Sequence, residues 1–404
     1  MKMIGTRKGA AGCVIALIVL LFSQIVFAQQ AVPSQTLPNQ AQVVALAKQL
    51  EVAVKKGDTA SAQDTLDVDG LLDRVMAGVS APADYADGFR RGAHRDVSLM
   101  TTIIKAAKGG TYRFLRIRQI NGQTRVLFRL LTARGGVNYH DWIVGTDAGG
   151  RVRFQDAYVA MTGEDMSQSI RRVYIMGAVH AHPTLLDRLT GADKQYAANL
   201  SAVSQIGRDV QGGNYSAALT SYQSLPQDLR ENKALMVLRL VAASKLRGQR
   251  PQDYRAAMSD FRRLFPHDAC LDLVCLDQLF EAGEYADARR SIDRIEAFTG
   301  PDAHLDTIRG KMYRLQGGSA NLSAAQKEYD KAIALEPTLH EPYWELVYLS
   351  LQTKDFDRTV ELLNRIQREL HVRIADLEKL PTYAEFVKSD AYRKWKAARS
   401  AKVQ

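Results

Sequence analysis

The stretch SAAQKEYDKAIALEP, Ser323 to Pro337, decides how the second half of the chain folds. Ala325, Tyr329 and Ala332 stand four and three residues apart, a spacing that sets them on one face of a helix, which Pro337 then stops. Small residues on such a stripe let a neighbouring helix approach closely, and the aromatic ring fills the space beside them. Any helical hairpin could show this much, so the test is whether the grammar recurs.

It recurs, with a preceding turn of glycine, an acidic or amide residue, and an aromatic. GNYSAALTSYQSLP runs from Gly213 to Pro226, QDYRAAMSDFRRLFP from Gln252 to Pro266, GEYADARRSIDRI from Gly283 to Ile295, and KDFDRTVELLNRI from Lys354 to Ile366. With the small residue as marker, the copies fall at Ala218, Ala257, Ala288, Ala325 and Thr359, at intervals of 39, 31, 37 and 34 residues. Five copies near a 34-residue period are a strong signal. Each helix pair has too much apolar surface to bury alone, so neighbours must stack and the last unit needs a cap. LPTYAEFVKSDAYRKW, Leu380 to Trp395, suits that cap, with Tyr383, Phe386, Tyr392 and Trp395 as its contact face.

On these motifs residues 199–370 resemble the tetratricopeptide repeat family, a solenoid of antiparallel helix pairs. The last full repeat shows Tyr343 and Leu346 at large apolar positions and Phe356 closing the turn. It departs from the pattern at Val347 and Thr359, where small residues are usual, and Gly317 to Asn321 lengthens one turn. In this family the concave face holds a segment of a partner, and first helices supply most contacts. Carried over, the resemblance implies a partner-binding stripe of Glu341, Trp344, Tyr348 and Leu351, for a protein or peptide. The same two rings also suit packing against the C-terminal cap.

The preceding segment reads differently. Helical patterns between Gln42 and Ala106 break at Gly57-Asp58 and Ala81-Pro82. TYRFLRIRQINGQTRVLFRLLT, Thr111 to Thr132, then alternates about Asn121-Gly122, a strong two-residue hairpin turn. That register sets Leu115 and Ile117 against Phe128 and Val126, and puts Arg116, Arg118, Arg125 and Arg129 on the other face. Four like charges on paired strands ask for an acidic neighbour, an external anion or open water. GEDMS, Gly163 to Ser167, is a local source of acid, and an anion-binding face is the sharper reading. A second hairpin is expected from Tyr139 to Met161, turning at Asp147 to Gly150. Helices followed by a curled antiparallel sheet make an α+β layer. In element order residues 43–174 resemble the cone-shaped fold of nuclear transport factor 2 and ketosteroid isomerase. That resemblance implies a cavity, with His140, Asp141 and Asp156 as candidate polar groups. His140 and Asp141 are neighbours in a strand and point to opposite faces, which rules out a local dyad.

The chain has 404 residues with 46% apolar and 24% charged side chains, which describes a globular protein of more than one domain. Lys2, Arg7 and Lys8 precede an apolar run ending at Phe27-Ala28, the order of a secretory signal. Its removal lowers the net charge from +10 to +7, since it carries three positive charges and no negative one. Outside the cytoplasm such an excess favours acidic lipids or wall polymers over nucleic acid. Cys270 and Cys275 are five apart, about 140° around a helix, and so are expected to be buried thiols rather than a disulfide. His180 and His182 lack further ligands nearby for a metal, and no phosphate-cradling loop, nucleophile elbow or paired-histidine zinc helix occurs.

These readings predict a signal peptide at 1–28, a linker at 29–42, an α+β domain at 43–175, a connecting segment at 176–198, an all-α tetratricopeptide-type solenoid at 199–370 and capping helices at 371–404. The function they favour is a secreted or periplasmic scaffold that binds a protein partner, without a cofactor, metal or catalysis. A small-ligand carrier or enzyme using the first domain and an envelope tether acting through basic charge are the alternatives.

Overall fold

The computed structural model describes residues 39–95 and 98–400. The expected signal peptide and residues 29–38 of the linker lie outside the described residues. Asn39 caps the first helix by accepting from the Ala41 backbone N–H, so residues 40–42 belong to that helix and not to a linker.

The N-terminal layer consists of α1 (Gln40–Lys56), α2 (Thr59–Gln63), α3 (Val68–Met76), α4 (Ala83–Arg95) and α5 (Ser98–Ala107), followed by a five-stranded antiparallel meander. Its strands are β1 (Thr111–Ile120), β2 (Gln123–Leu131), β3 (Val137–Thr146), β4 (Val152–Val159) and the short β5 (Glu164–Asp165). Asn121 and Gly122 both take positive φ, 51° and 74°, as the tight β1–β2 turn requires. Val126, Phe128, Trp142, Val144 and Phe154 face α1 and α5, where Leu46, Leu50 and Met100 complete one core. The opposite face carries Leu127, Leu131, Val137, Tyr139 and Ala160, and these join the core of the C-terminal half. Covered on both sides, β3 is buried almost along its length.

Helices α6 (Met166–Ala181) and α7 (Gly191–Ala198) connect the layers. Five antiparallel pairs then stack: α8 (Leu200–Gln211) with α9 (Tyr215–Gln223), and, after the single turn α10 (Gln227–Arg230), α11 (Lys233–Lys245) with α12 (Pro251–Leu264). They continue with α13 (Ala269–Glu281) and α14 (Tyr285–Thr299), α15 (Ala303–Gln316) and α16 (Ser319–Leu335), and α17 (Glu341–Gln352) and α18 (Phe356–Leu370). Three short 3₁₀ turns and α19 (Asp390–Ser400) close the stack, with Tyr383, Phe386, Tyr392 and Trp395 buried against it. The fold is an α+β layer followed by an all-α solenoid. Among the described residues no helix is long and apolar enough to cross a membrane.

All five repeat markers lie on second helices, and none is more than 2% exposed. The shared turn has a shared physical basis. Asn214, Glu284 and Asp355 each donate a backbone N–H to the carbonyl five residues back, at 2.7, 2.9 and 2.9 Å, with Gly213, Gly283 and Lys354 left-handed before them. The 39-residue interval accommodates α10. The long turn expected at Gly317 to Asn321 is in fact two residues: Gly317 and Gly318 take positive φ, and Ser319 already starts α16. The added length extends the helix instead, and the Asn321 amide bonds the Gly317 carbonyl at 2.8 Å. Thr359 fits at a small-residue position because its hydroxyl pairs with that of Ser350 at 2.8 Å. Cys270 and Cys275 are both buried in α13 and unbridged.

Candidate partner-binding site

The hairpin turn sets Arg118 opposite Arg125, and Ile117 opposite Val126, as its geometry dictates. A β-bulge between Phe114 and Arg116 corrects the rest of the expected register. One extra residue moves Phe114, not Leu115, opposite Phe128, and Leu115 turns instead toward the solenoid core. The bulge leaves Arg116, Arg118, Arg125 and Arg129 on the solenoid-facing side.

That side is not an open anion-binding face. Arg116 donates to the Pro301 carbonyl and Arg118 to the Phe298 carbonyl, with the Arg118 guanidinium 4.8 Å over the Phe298 ring. Arg118 and Arg125 share Asp141 at 2.7 and 3.3 Å. Arg129 is fully buried and pairs with Asp302, also fully buried, and with Glu336 at 2.8 Å. The acidic partners therefore come from the solenoid and from β3, and not from Gly163 to Ser167, where Glu164 is held by Arg172 at 2.7 Å.

These contacts follow the repeat. Asn232, Asp268 and Asp302 are the N-caps of α11, α13 and α15, each accepting a backbone N–H of its own helix. Two of the caps have a second task. The Tyr158 hydroxyl donates to Asp268 at 2.9 Å, the Tyr139 hydroxyl donates to Asp302 at 2.9 Å, and Lys233 pairs with Asp268 at 2.6 Å. Burial and the adjacent Asp302 charge hold the Tyr139 phenol well above its usual range, so it stays a donor. The sheet thus docks along the row of caps at the N-terminal ends of the first helices. Asp268 and Asp302 are legible in sequence as caps, but nothing local signals that tyrosines and arginines more than a hundred residues earlier reach them.

The three candidate polar groups of the expected cavity also have structural partners. His140 lies on the helix-covered face, between Tyr112 (3.1 Å) and Asn138 (3.2 Å), and Asp141 lies on the other face with the arginines. Asp156 accepts the backbone N–H groups of Ala157 and Ser167 at 2.8 and 3.1 Å and so anchors the start of α6. His182 ends α6.

The stripe carried by α17 is divided. Trp344 and Leu351 are partly buried against the cluster that α16, α17, α18 and the cap form together. Glu341 accepts from His304 at 3.2 Å. Tyr348 is 36% exposed, one of few large apolar side chains so placed among the described residues, with the Arg314 guanidinium 5.7 Å from its ring centre. Glu341 also lines a cleft of about 1220 Å³. The ends of α1 and α5, the start of β1 and the β2–β3 turn form one wall of this cleft, and residues 336–341 form the other.

The arrangement defines a helical-repeat solenoid clasped by an α+β layer. No family model matches the chain, and no curated protein matches it. Among solved structures, the crystal structure of PilW, described as a widely conserved type IV pilus biogenesis factor, is similar over 50% of this chain and 93% of its own. The sequence identity is 13% and the TM-score 0.36.

Proposed function

We propose that the protein is a binding scaffold that recruits a polypeptide partner through the α17 stripe, with Tyr348 as the contacting ring and Trp344 and Leu351 as its packed support. The observation that carries this reading is the exposure of Tyr348 beside Arg314, on a repeat whose other large apolar side chains are covered. An amphipathic ring held on a rigid helix loses little entropy when a partner covers it, which is why tyrosine and tryptophan dominate interface energetics. In the same reading residues 1–28 direct export, and the partner is met in the periplasm or outside the cell.

Placing a photo-cross-linking phenylalanine analogue at position 348 in the full chain tests it. The expected result is one discrete adduct whose purified protein binds the wild type, and binds Tyr348→Ala at least tenfold more weakly, as loss of an aromatic hot spot entails. Absence of an adduct, or equal affinity for Tyr348→Ala, would contradict the assignment.

A further inference from the structure

The cleft shared by the two layers has a charge pattern that the scaffold reading does not use. Its acidic residues are already engaged: Glu51 with Arg113 at 3.4 Å, Glu336 with Arg129 at 2.8 Å, and Glu341 with His304 at 3.2 Å. Its lysines form no such pair, although the Lys56 charge reaches the Asp58 carboxylate. Lys55 and Lys56 at the end of α1, and Lys105 and Lys108 at the end of α5, are exposed along one rim and form no ion pair or side-chain hydrogen bond among the described residues. The ends of the two helices explain part of this, because a helix C-terminus carries roughly half a negative charge and favours a cation. Two such ends offset about one of the four lysines. Between the rims lie Val54, Ile104 and Leu131, and Val52, which is 48% exposed.

We infer that this cleft is a second binding site, and that its occupant is an extended, acidic peptide segment in which carboxylates alternate with apolar side chains. Carboxylates would meet Lys55, Lys56, Lys105 and Lys108, while the alternate side chains cover Val52 and Ile104. A trough of about 1220 Å³ is larger than the range of roughly 300–1,000 Å³ common for small-molecule pockets, and suits several residues of chain. Since one wall belongs to the α+β layer and the other to the solenoid, such a segment touches both. The inference rests on the reading that the protein binds polypeptide, but not on the Tyr348 stripe.

The test uses the full chain and a fluorescein-labelled pool of decapeptides in which Asp or Glu alternates with Leu, Val or Phe, read by anisotropy at 50 and 300 mM salt. Saturable binding is expected, weakened at least tenfold by salt and by the Lys55→Glu/Lys56→Glu/Lys105→Glu/Lys108→Glu variant. The matching Lys→Gln variant should fall between, which separates loss of charge from loss of fold. A pool with lysine in place of the acids should not bind. Equal binding of the two pools, no effect of charge reversal, or binding of phosphatidylglycerol vesicles without binding of the acidic pool overturns the inference. Peptide failure with the position-348 adduct intact removes the cleft alone, and peptide binding without that adduct removes the stripe alone.

Discussion

At the scale of single residues, His140 shows how a polar group that looks catalytic in sequence is fixed by its surroundings. Asn138 Oδ1 accepts the backbone N–H groups of Tyr139 and Met161 at 2.8 and 2.9 Å, which fixes the orientation of its amide. Its Nδ2 then donates to His140 Nε2, leaving Nδ1–H to donate to the Tyr112 oxygen, which also accepts from Trp142 Nε1 at 2.8 Å. A second proton on the ring would set Nε2–H against an amide N–H. Burial in this pocket lowers the His140 pKa to about 4. The unfolded chain, with an imidazole near its ordinary value of about 6.5, takes up that proton first. The contribution of His140 to stability is therefore whole above about pH 6.5 and is lost as pH falls toward 4, by roughly 3 kcal/mol in all. Urea unfolding at pH 7.5, 6 and 5 should show a steeper loss for the wild type than for His140→Gln. Parallel slopes would mean that the native ring takes up its proton as readily as the unfolded one. The alternation that separates His140 from Asp141 is legible in the sequence and places Asn138 on the same face of β3, but the partner of the other ring nitrogen, Tyr112, comes from β1 and could not be read locally.

At the scale of elements, the repeat was legible because its packing rule is local. Ala325, Tyr329 and Ala332 take the inner face of α16, and all three are buried. Tyr329 packs over Gly310 of α15 so closely that a Cβ there would lie 2.6 Å from the ring and 3.1 Å from the Ala325 carbonyl. Gly310→Ala should therefore destabilise the protein by about 1–3 kcal/mol, even though alanine favours a helix over glycine by roughly 1 kcal/mol. A calorimetric midpoint that rises in this variant would show that α15 and α16 can separate freely. The bulge in β1 was not legible. Alternation predicts Leu115 inward, and the extra residue pairs with nothing in the sequence that marks it.

At the scale of the whole molecule, the charges of the arginine face are satisfied by tertiary contacts that no local pattern marks. Repelling charges on paired strands could be satisfied by solvent, by a ligand or by acids, and only docking of the sheet on the solenoid caps selects the acids. The same docking holds one edge of the solenoid against the sheet, while Tyr348 and the lysines of the cleft rim stay exposed. Buried pairs such as Arg129 with Asp302 are weak evidence of net stabilisation, since desolvation opposes the Coulomb gain, but breaking one strands a buried charge at a cost of about 3–5 kcal/mol. The clasp is thus tested most directly by a double-mutant cycle on Arg129→Ala and Asp302→Ala, followed by urea unfolding. Each single variant is expected to lose about 3 kcal/mol or more, and the double variant far less than their sum. Effects that add to within about 0.5 kcal/mol would show that the two residues do not meet, and that the arginine face is free of the solenoid.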